Sequence, residues 1–198
     1  IDILVGTQMV VKGLDFEHVD LVGILDADGI LSFADFRVNE RAFQLMEQVS
    51  GRAGRKHGNG KVLVQTAQPA HPVLINVQQH DYASLFNEEI TRRDQFFYPP
   101  FSRIIKLTFR NKIREVVHDA AHLFANALSN RYKENITGPA EPVVNRVRNN
   151  YLMELLLKLP RSGSVLAQCK KDILNQIALL HQEKRYKSVV VIPDVDGV

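Results

Sequence analysis

Thiol is scarce and indole is absent: one cysteine, Cys169, and no tryptophan occur in 198 residues. A single thiol excludes an internal disulfide framework and any zinc site built from this chain's cysteines, and it makes a reducing, cytoplasmic location the expectation. No apolar run approaches the ~20 residues that cross a bilayer, and no secretory leader opens the chain, so no membrane is expected among its partners. Also missing is the GxxxxGK[ST] loop, whose backbone amides and lysine hold the β and γ phosphates of a nucleotide. The chain by itself is therefore expected to be inactive toward ATP. It opens at Ile1, without methionine, inside what reads as a buried strand, as a piece of a longer protein does. No internal repeat or low-complexity tract is found.

Charge is unevenly spread. Residues 1–100 carry 9 Lys+Arg against 13 Asp+Glu, net −4, whereas residues 101–198 carry 16 against 9, net +7. A basic second half favours a polyanion partner through counterion release, and nucleic acid ranks first.

Hydrophobic periodicity divides the chain in three. Ile1–Val5 and Val19–Leu25 read as parallel strands buried on both faces, Asn39–Ser50 as a helix, and Lys61–Thr66 as a strand after a Gly58-Asn59-Gly60 turn. This makes residues 1–70 an α/β lobe. Residues 71–100 read as a helical connector opening at Pro72, with a break near His80-Asp81, and closed by Tyr98-Pro99-Pro100. Residues 101–198 follow the order βαββαβ: strand Arg103–Phe109, helix Ile113–Tyr132, strands Ile136–Val147 and Tyr151–Leu159 joined around Asn149-Asn150, helix Val165–Arg185 and strand Ser188–Pro193. That order predicts a two-layer α+β sandwich.

The most informative stretch is Gln48-Val49-Ser50-Gly51-Arg52-Ala53-Gly54-Arg55. Two guanidinium forks three residues apart, flanked by small residues that let a ligand approach, suit phosphate oxygens. They read as the arginine-finger end of a nucleotide motor. Upstream, Gly6-Thr7-Gln8 and Lys12-Gly13-Leu14-Asp15 follow the first strand, where parallel sheets present loops to ligands. Thr7 and Gln8 offer hydrogen bonds to a sugar-phosphate backbone, and Gly13 with Asp15 can approach a ribose or a metal-bound water.

GTQMVVKGLDF paired with QVSGRAGR, with ILDADGILSFADFRVNER between them, resembles motifs V and VI of superfamily 2 helicases. YPPF, TGPAEPVVNRVRNNY and VVIPDVD narrow the resemblance to the bacterial primosomal replication-restart helicases, over nearly the whole chain. The resemblance implies most of a second RecA-like lobe followed by a C-terminal DNA-binding domain similar in fold to ribosomal protein S10. It implies that Arg52 and Arg55 reach the γ-phosphate, that Gln48 senses the nucleotide and Gly51 lies beside it, and that Gly13 and Asp15 couple it to Thr7, Gln8 and Lys12 on a single strand. ATP and magnesium would be completed by a first lobe, and zinc would belong to a cysteine-rich insertion, both outside this sequence. The implied activity is 3′ to 5′ DNA unwinding at stalled forks. The implied partners are forked and single-stranded DNA, single-stranded DNA-binding protein, and primosome or helicase-loading proteins.

Other residues have competing readings. Asp26 and Asp28 imitate a magnesium-binding strand end but are read as loop-anchoring acids. Arg37, Glu40 and Arg41 either order their loop by ion pairs or touch DNA. His118 and His122 imitate a zinc-protease helix, yet Asp119 stands where glutamate is needed, so they are read as flanking a buried stripe. Arg146, Arg148, Asn149, Asn150 and Tyr151 suit backbone contacts and base stacking in a presumed hairpin, or form a plain surface turn. Lys170, Lys171, Lys184, Arg185 and Lys187 either extend a basic face or solvate the last helix, and Cys169 reads as partly buried. Two alternatives stay open: a non-catalytic nucleic-acid or protein-binding module, and another superfamily 2 motor on DNA or RNA.

Overall fold

A computed structural model of the chain describes residues 3–7, 19–53 and 60–196. It is a mixed α/β protein of two compact units, residues 1–92 and 93–198, each with its own core.

In the first unit, β1 (Leu21–Ile24) pairs in parallel with β2 (Lys61–Val64), Leu21 opposite Lys61 and Ile24 opposite Val64. Between them come α1 (Ala27–Leu31) and α2 (Val38–Ser50), and after β2 come α3 (Pro72–Gln79) and α4 (Tyr82–Gln95). Alternation sends Ile24, Val62 and Val64 to the core, where they meet Ala42, Phe43 and Met46 of α2 and Val73, Leu74 and Val77 of α3. Residues 71–100, expected as a connector, thus give two helices whose apolar faces close this core. His80 at φ 53 ends α3, at the expected break.

Two expectations fail here. Residues 3–7 adopt no regular structure and pair with neither β1 nor β2, so the described part of Ile1–Val5 is not a strand. The Val19–Leu25 strand is buried on one face only, because Leu21 and Leu63 on the other side are exposed. The Gly58-Asn59-Gly60 turn lies mostly outside the described residues.

The second unit is an antiparallel sheet in the order β4-β6-β3-β7, with the short β5 also paired to β6. Its strands are β3 (Ser102–Asn111), β4 (Ile136–Ala140), β5 (Arg146–Val147), β6 (Asn150–Pro160) and β7 (Val190–Val195). Helices α5 (Arg114–Tyr132) and α6 (Gly163–Gln182) cover one face. Ile105, Leu107 and Phe109 of β3 and Met153, Leu155, Leu157 and Leu159 of β6 point to the same side, as a period of two requires, and meet Val117, Ala121, Phe124 and Leu128 of α5. Phe109 and Phe124 pack edge to face at 5.2 Å, an arrangement worth about 1 kcal/mol beyond its buried area. Tyr132 donates from its hydroxyl to Asp172 Oδ2 at 2.6 Å, which ties the end of α5 to α6. Cys169 beside this bond is fully buried rather than partly so, and burial pushes its thiol up to about 11.

The expected strand Ile136–Val147 is broken in two. Gly138 sits at φ +97, and a Cβ there would lie 2.9 Å from the Glu154 carbonyl oxygen, so the chain bulges between Thr137 and Ala140. Pro139 and Pro142 then supply no N–H to continue the ladder. The hairpin turn also falls one residue earlier than expected. Val147 pairs with Asn150, and Arg148 and Asn149 between them both have positive φ, 47 and 64.

Candidate nucleic-acid interface

The first unit brings three predicted residues together. Gln48 is exposed in the last turn of α2, Gly51 caps that helix, and Arg52 follows half-buried, its N–H donating to the Val49 carbonyl at 3.1 Å. Gly51 has φ −65, and an added Cβ would meet only the Glu47 carbonyl oxygen at 3.4 Å and that of Gln48 at 3.9 Å, so the local backbone does not demand glycine. Thr7 is exposed and outside any regular element. Gln8, Lys12, Gly13, Asp15 and Arg55 lie outside the described residues.

The acids that follow β1 anchor loops, as expected. Asp26, at φ 55, accepts from the Gly29 N–H and starts α1. Asp28 accepts from Thr66 Oγ1 and from the Ala67 N–H, both at 2.7 Å, so it fastens the segment that leaves β2. The Ala67 N–H first and the Thr66 hydroxyl second hold its carboxyl below the usual range. Among the described residues no group of three His, Cys, Asp or Glu side chains could hold a metal ion. Asp35 similarly orders its loop, accepting from Arg41 at 2.6 Å and from the Arg37 N–H at 2.9 Å.

In the second unit, strand pairing assembles a cationic end that linear spacing does not show. Arg110 and Asn111 close β3 opposite Leu152 and Tyr151 at the start of β6, and Arg146 of β5 also pairs with Tyr151. Arg110 further faces Val190 of β7, and Asn111 Nδ2 donates to Ser188 Oγ at 3.0 Å, which brings Lys187 alongside. Arg110, Lys112, Arg146, Arg148 and Lys187 therefore lie at one end of the sheet, where β3 ends and β6 and β7 begin; Arg110, in register with Leu152, is on the face away from the helices, and Arg146, in register with Tyr151, on the helix-covered face. All five are exposed, and none has a carboxylate partner among the described residues. Two acids at this end are already engaged: Glu141 by Arg114 at 2.7 Å and Asp119 by Arg185. Glu115 and Glu183 remain and reduce the excess without cancelling it.

The Arg146 guanidinium lies 5.0 Å from the centre of the half-buried Tyr151 ring, a stacked pair of the kind that receives a base. Arg146, Arg148 and Tyr151 were visible in the sequence; Arg110, Lys112 and Lys187 were joined to them only by the register. Lys170 and Lys171 sit in the half of α6 nearer the opposite sheet end, and Arg185 is paired. His118 and His122 are exposed, their rings 4.3 Å apart, beside the buried stripe of α5.

In class, then, the chain joins part of a parallel α/β unit to a two-layer α+β sandwich with a cationic sheet end. Residues 94–198 match the family described as Primosomal protein N C-terminal domain, and the chain belongs to this PriA family. It is 41% identical over 201 aligned residues to the Replication restart protein PriA of Treponema pallidum, covering 100% of this chain and 29% of that protein. The proteins of the same name from Synechocystis sp. and Bacillus subtilis are 40% identical over 163 residues (80% of this chain, 19% of the relative) and 38% identical over 176 (86% and 21%). The chain thus spans less than a third of the length of these relatives. No described helix is long and apolar enough to cross a membrane.

Proposed function

We infer that the chain works in replication restart, as part of an ATP-dependent 3′ to 5′ DNA helicase in the cytoplasm. The observation that carries the DNA half of this reading is the presence of five exposed cations without carboxylate partners among the described residues, all at one sheet end of a PriA-family domain. Phosphate contacts from such an end position a strand without reading its sequence, and Tyr151 with its stacked Arg146 offers a platform for one base. In this reading residues 93–198 are the S10-like DNA-binding domain, and the first unit is most of the second RecA-like lobe.

The motor half rests on the end of α2. Arg52, with Arg55 beyond it, reaches the γ-phosphate of an ATP held on a first lobe, where a fixed guanidinium stabilises the charge that develops in phosphoryl transfer. Gln48 senses the nucleotide, Gly51 keeps the approach open, and Gly13 and Asp15 couple it to a strand gripped by Thr7, Gln8 and Lys12. Asp26 and Asp28 already hold the loops around this sheet end, so magnesium falls to the first lobe. Zinc falls to a cysteine-rich insertion outside the chain. Forked DNA, single-stranded DNA-binding protein and helicase-loading proteins are the partners this role requires.

Mixing the chain with a separately expressed first lobe tests the motor. DNA-stimulated ATP hydrolysis should appear, and Arg52→Ala or Arg55→Ala should abolish it. The second unit's self-contained core favours one other reading, a DNA-binding module without a motor role. DNA binding with no restored hydrolysis selects it.

A further inference from the structure

Beside the cationic end stands a loop whose two valines are exposed and pack on nothing among the described residues. Between β4 and β5, Val143 is 90% exposed and Val144 63% exposed, the former among the most open large hydrophobic side chains of the described residues. The loop beneath them is closed. Glu141 accepts from Asn145 Nδ2 at 2.9 Å through one carboxylate oxygen and from Arg114 Nε at 2.8 Å through the other. The Asn145 carbonyl in turn accepts from the Leu152 N–H at 2.9 Å, which fixes the loop's far side to β6. Every strong tie is at the base, and Pro142, Val143 and Val144 form the crown.

We propose that this crown is a wedge that packs against the terminal base pair where duplex meets single-stranded DNA, a role that rests on the DNA-binding reading above. The chain runs from the crown through Asn145 directly into Arg146 and Arg148, so a strand whose phosphates met those guanidiniums would pass close to the valines. Valine has one stiff side-chain torsion and loses little freedom on contact. Apolar side chains set against base steps are a recurrent means of unstacking DNA. A protein partner is less suited: two valines followed directly in the chain by Arg146 and Arg148 are a small patch against the ~1,000 Å² that a specific protein interface buries. An anionic lipid surface would make no use of the stacked Arg146–Tyr151 pair or of the Asn149 and Asn150 amides.

The test uses the whole chain and a fork carrying 2-aminopurine at its first paired position. Saturating protein should raise the fluorescence. Val143→Ser with Val144→Ser should remove most of that rise and weaken fork binding about tenfold, the contribution expected from partial burial of two valines, while single-strand affinity stays as it was. Val143→Ile with Val144→Ile should keep the rise. Both valines are exposed, so neither pair of changes should prevent folding, which circular dichroism checks. A serine variant that keeps the full rise overturns the wedge and leaves the crown to a protein partner. A wild-type chain that binds the fork through Arg146 and Arg148 without any rise also overturns it, with DNA binding intact. A wild-type chain that binds neither single strand nor fork overturns both readings together.

Discussion

Arg148 is held where its backbone is uncomfortable and its side chain is useful, so two substitutions there should separate stability from binding. With Asn149 it forms a two-residue turn with positive φ at both positions, the requirement of a type I′ hairpin, and φ 47 is a costly conformation for arginine. Arg148→Ala and Arg148→Gly remove the same guanidinium, but only glycine takes the left-handed conformation without a Cβ clash. The glycine variant should be more stable than the alanine variant by about 1 kcal/mol, read as a higher denaturant midpoint for residues 93–198. Binding should not distinguish them. One lost phosphate contact lowers the salt slope for single-stranded DNA by about 0.7, which at 0.15 M salt is about a fourfold loss of affinity, measured by fluorescence anisotropy. The reasoning is refuted if the two variants are equally stable, or if either binds single strands as the parent chain does.

Further predictions concern the framework. Tyr132→Phe removes a bond to an ionised carboxylate and should cost about 1.5 kcal/mol, or roughly 6 to 12 °C in the melting of the second unit. The Tyr132 hydroxyl first and the Gln168 amide second hold the Asp172 carboxyl below its usual range, so this stabilisation is present above the ordinary carboxylate pKa and lost as pH falls through the lowered one. The difference between parent and variant should shrink in acid melts. Gly138→Ala should destabilise by at least 2 kcal/mol in denaturant titration, because a Cβ there meets the Glu154 carbonyl and the backbone is left-handed. Asp28→Asn should speed amide hydrogen exchange at Ala67, whose N–H the carboxylate accepts, while the exchange of β6 stays unchanged.

What could be read from the sequence follows from the range of the interaction that fixes it. The apolar stripe Val117, Ala121, Phe124, Leu128 sets α5 within a few turns of helix, and the His80-Asp81 break needs only local chemistry. The order βαββαβ is likewise local pattern, repeated. The bulge at Gly138 is different: it is imposed by the Glu154 carbonyl of a neighbouring strand, and periodicity alone runs Ile136–Val147 as one strand. Likewise Asp28 meets Thr66 38 residues away, and the motif suggested an anchor without naming what it anchors. The cationic end was half visible in Arg146, Arg148 and Tyr151; Arg110 and Lys187 joined it through strand register, which no linear spacing displays. The proposed nucleotide site draws on Arg55, Gly13 and Asp15, which lie outside the described residues.

The central claim is that the end of the sheet where β3 stops and β6 and β7 start is the surface that meets DNA. Its most direct test is the salt dependence of single-strand binding by the chain. If all five cations contact phosphate, the slope of log K against log salt should be about −3.5, and Arg110→Ala, Arg146→Ala and Lys187→Ala together should reduce its magnitude by about 2. Lys170→Ala with Lys171→Ala should leave it unchanged. A parent slope near zero, or a slope that falls only when Lys170 and Lys171 are removed, contradicts the account.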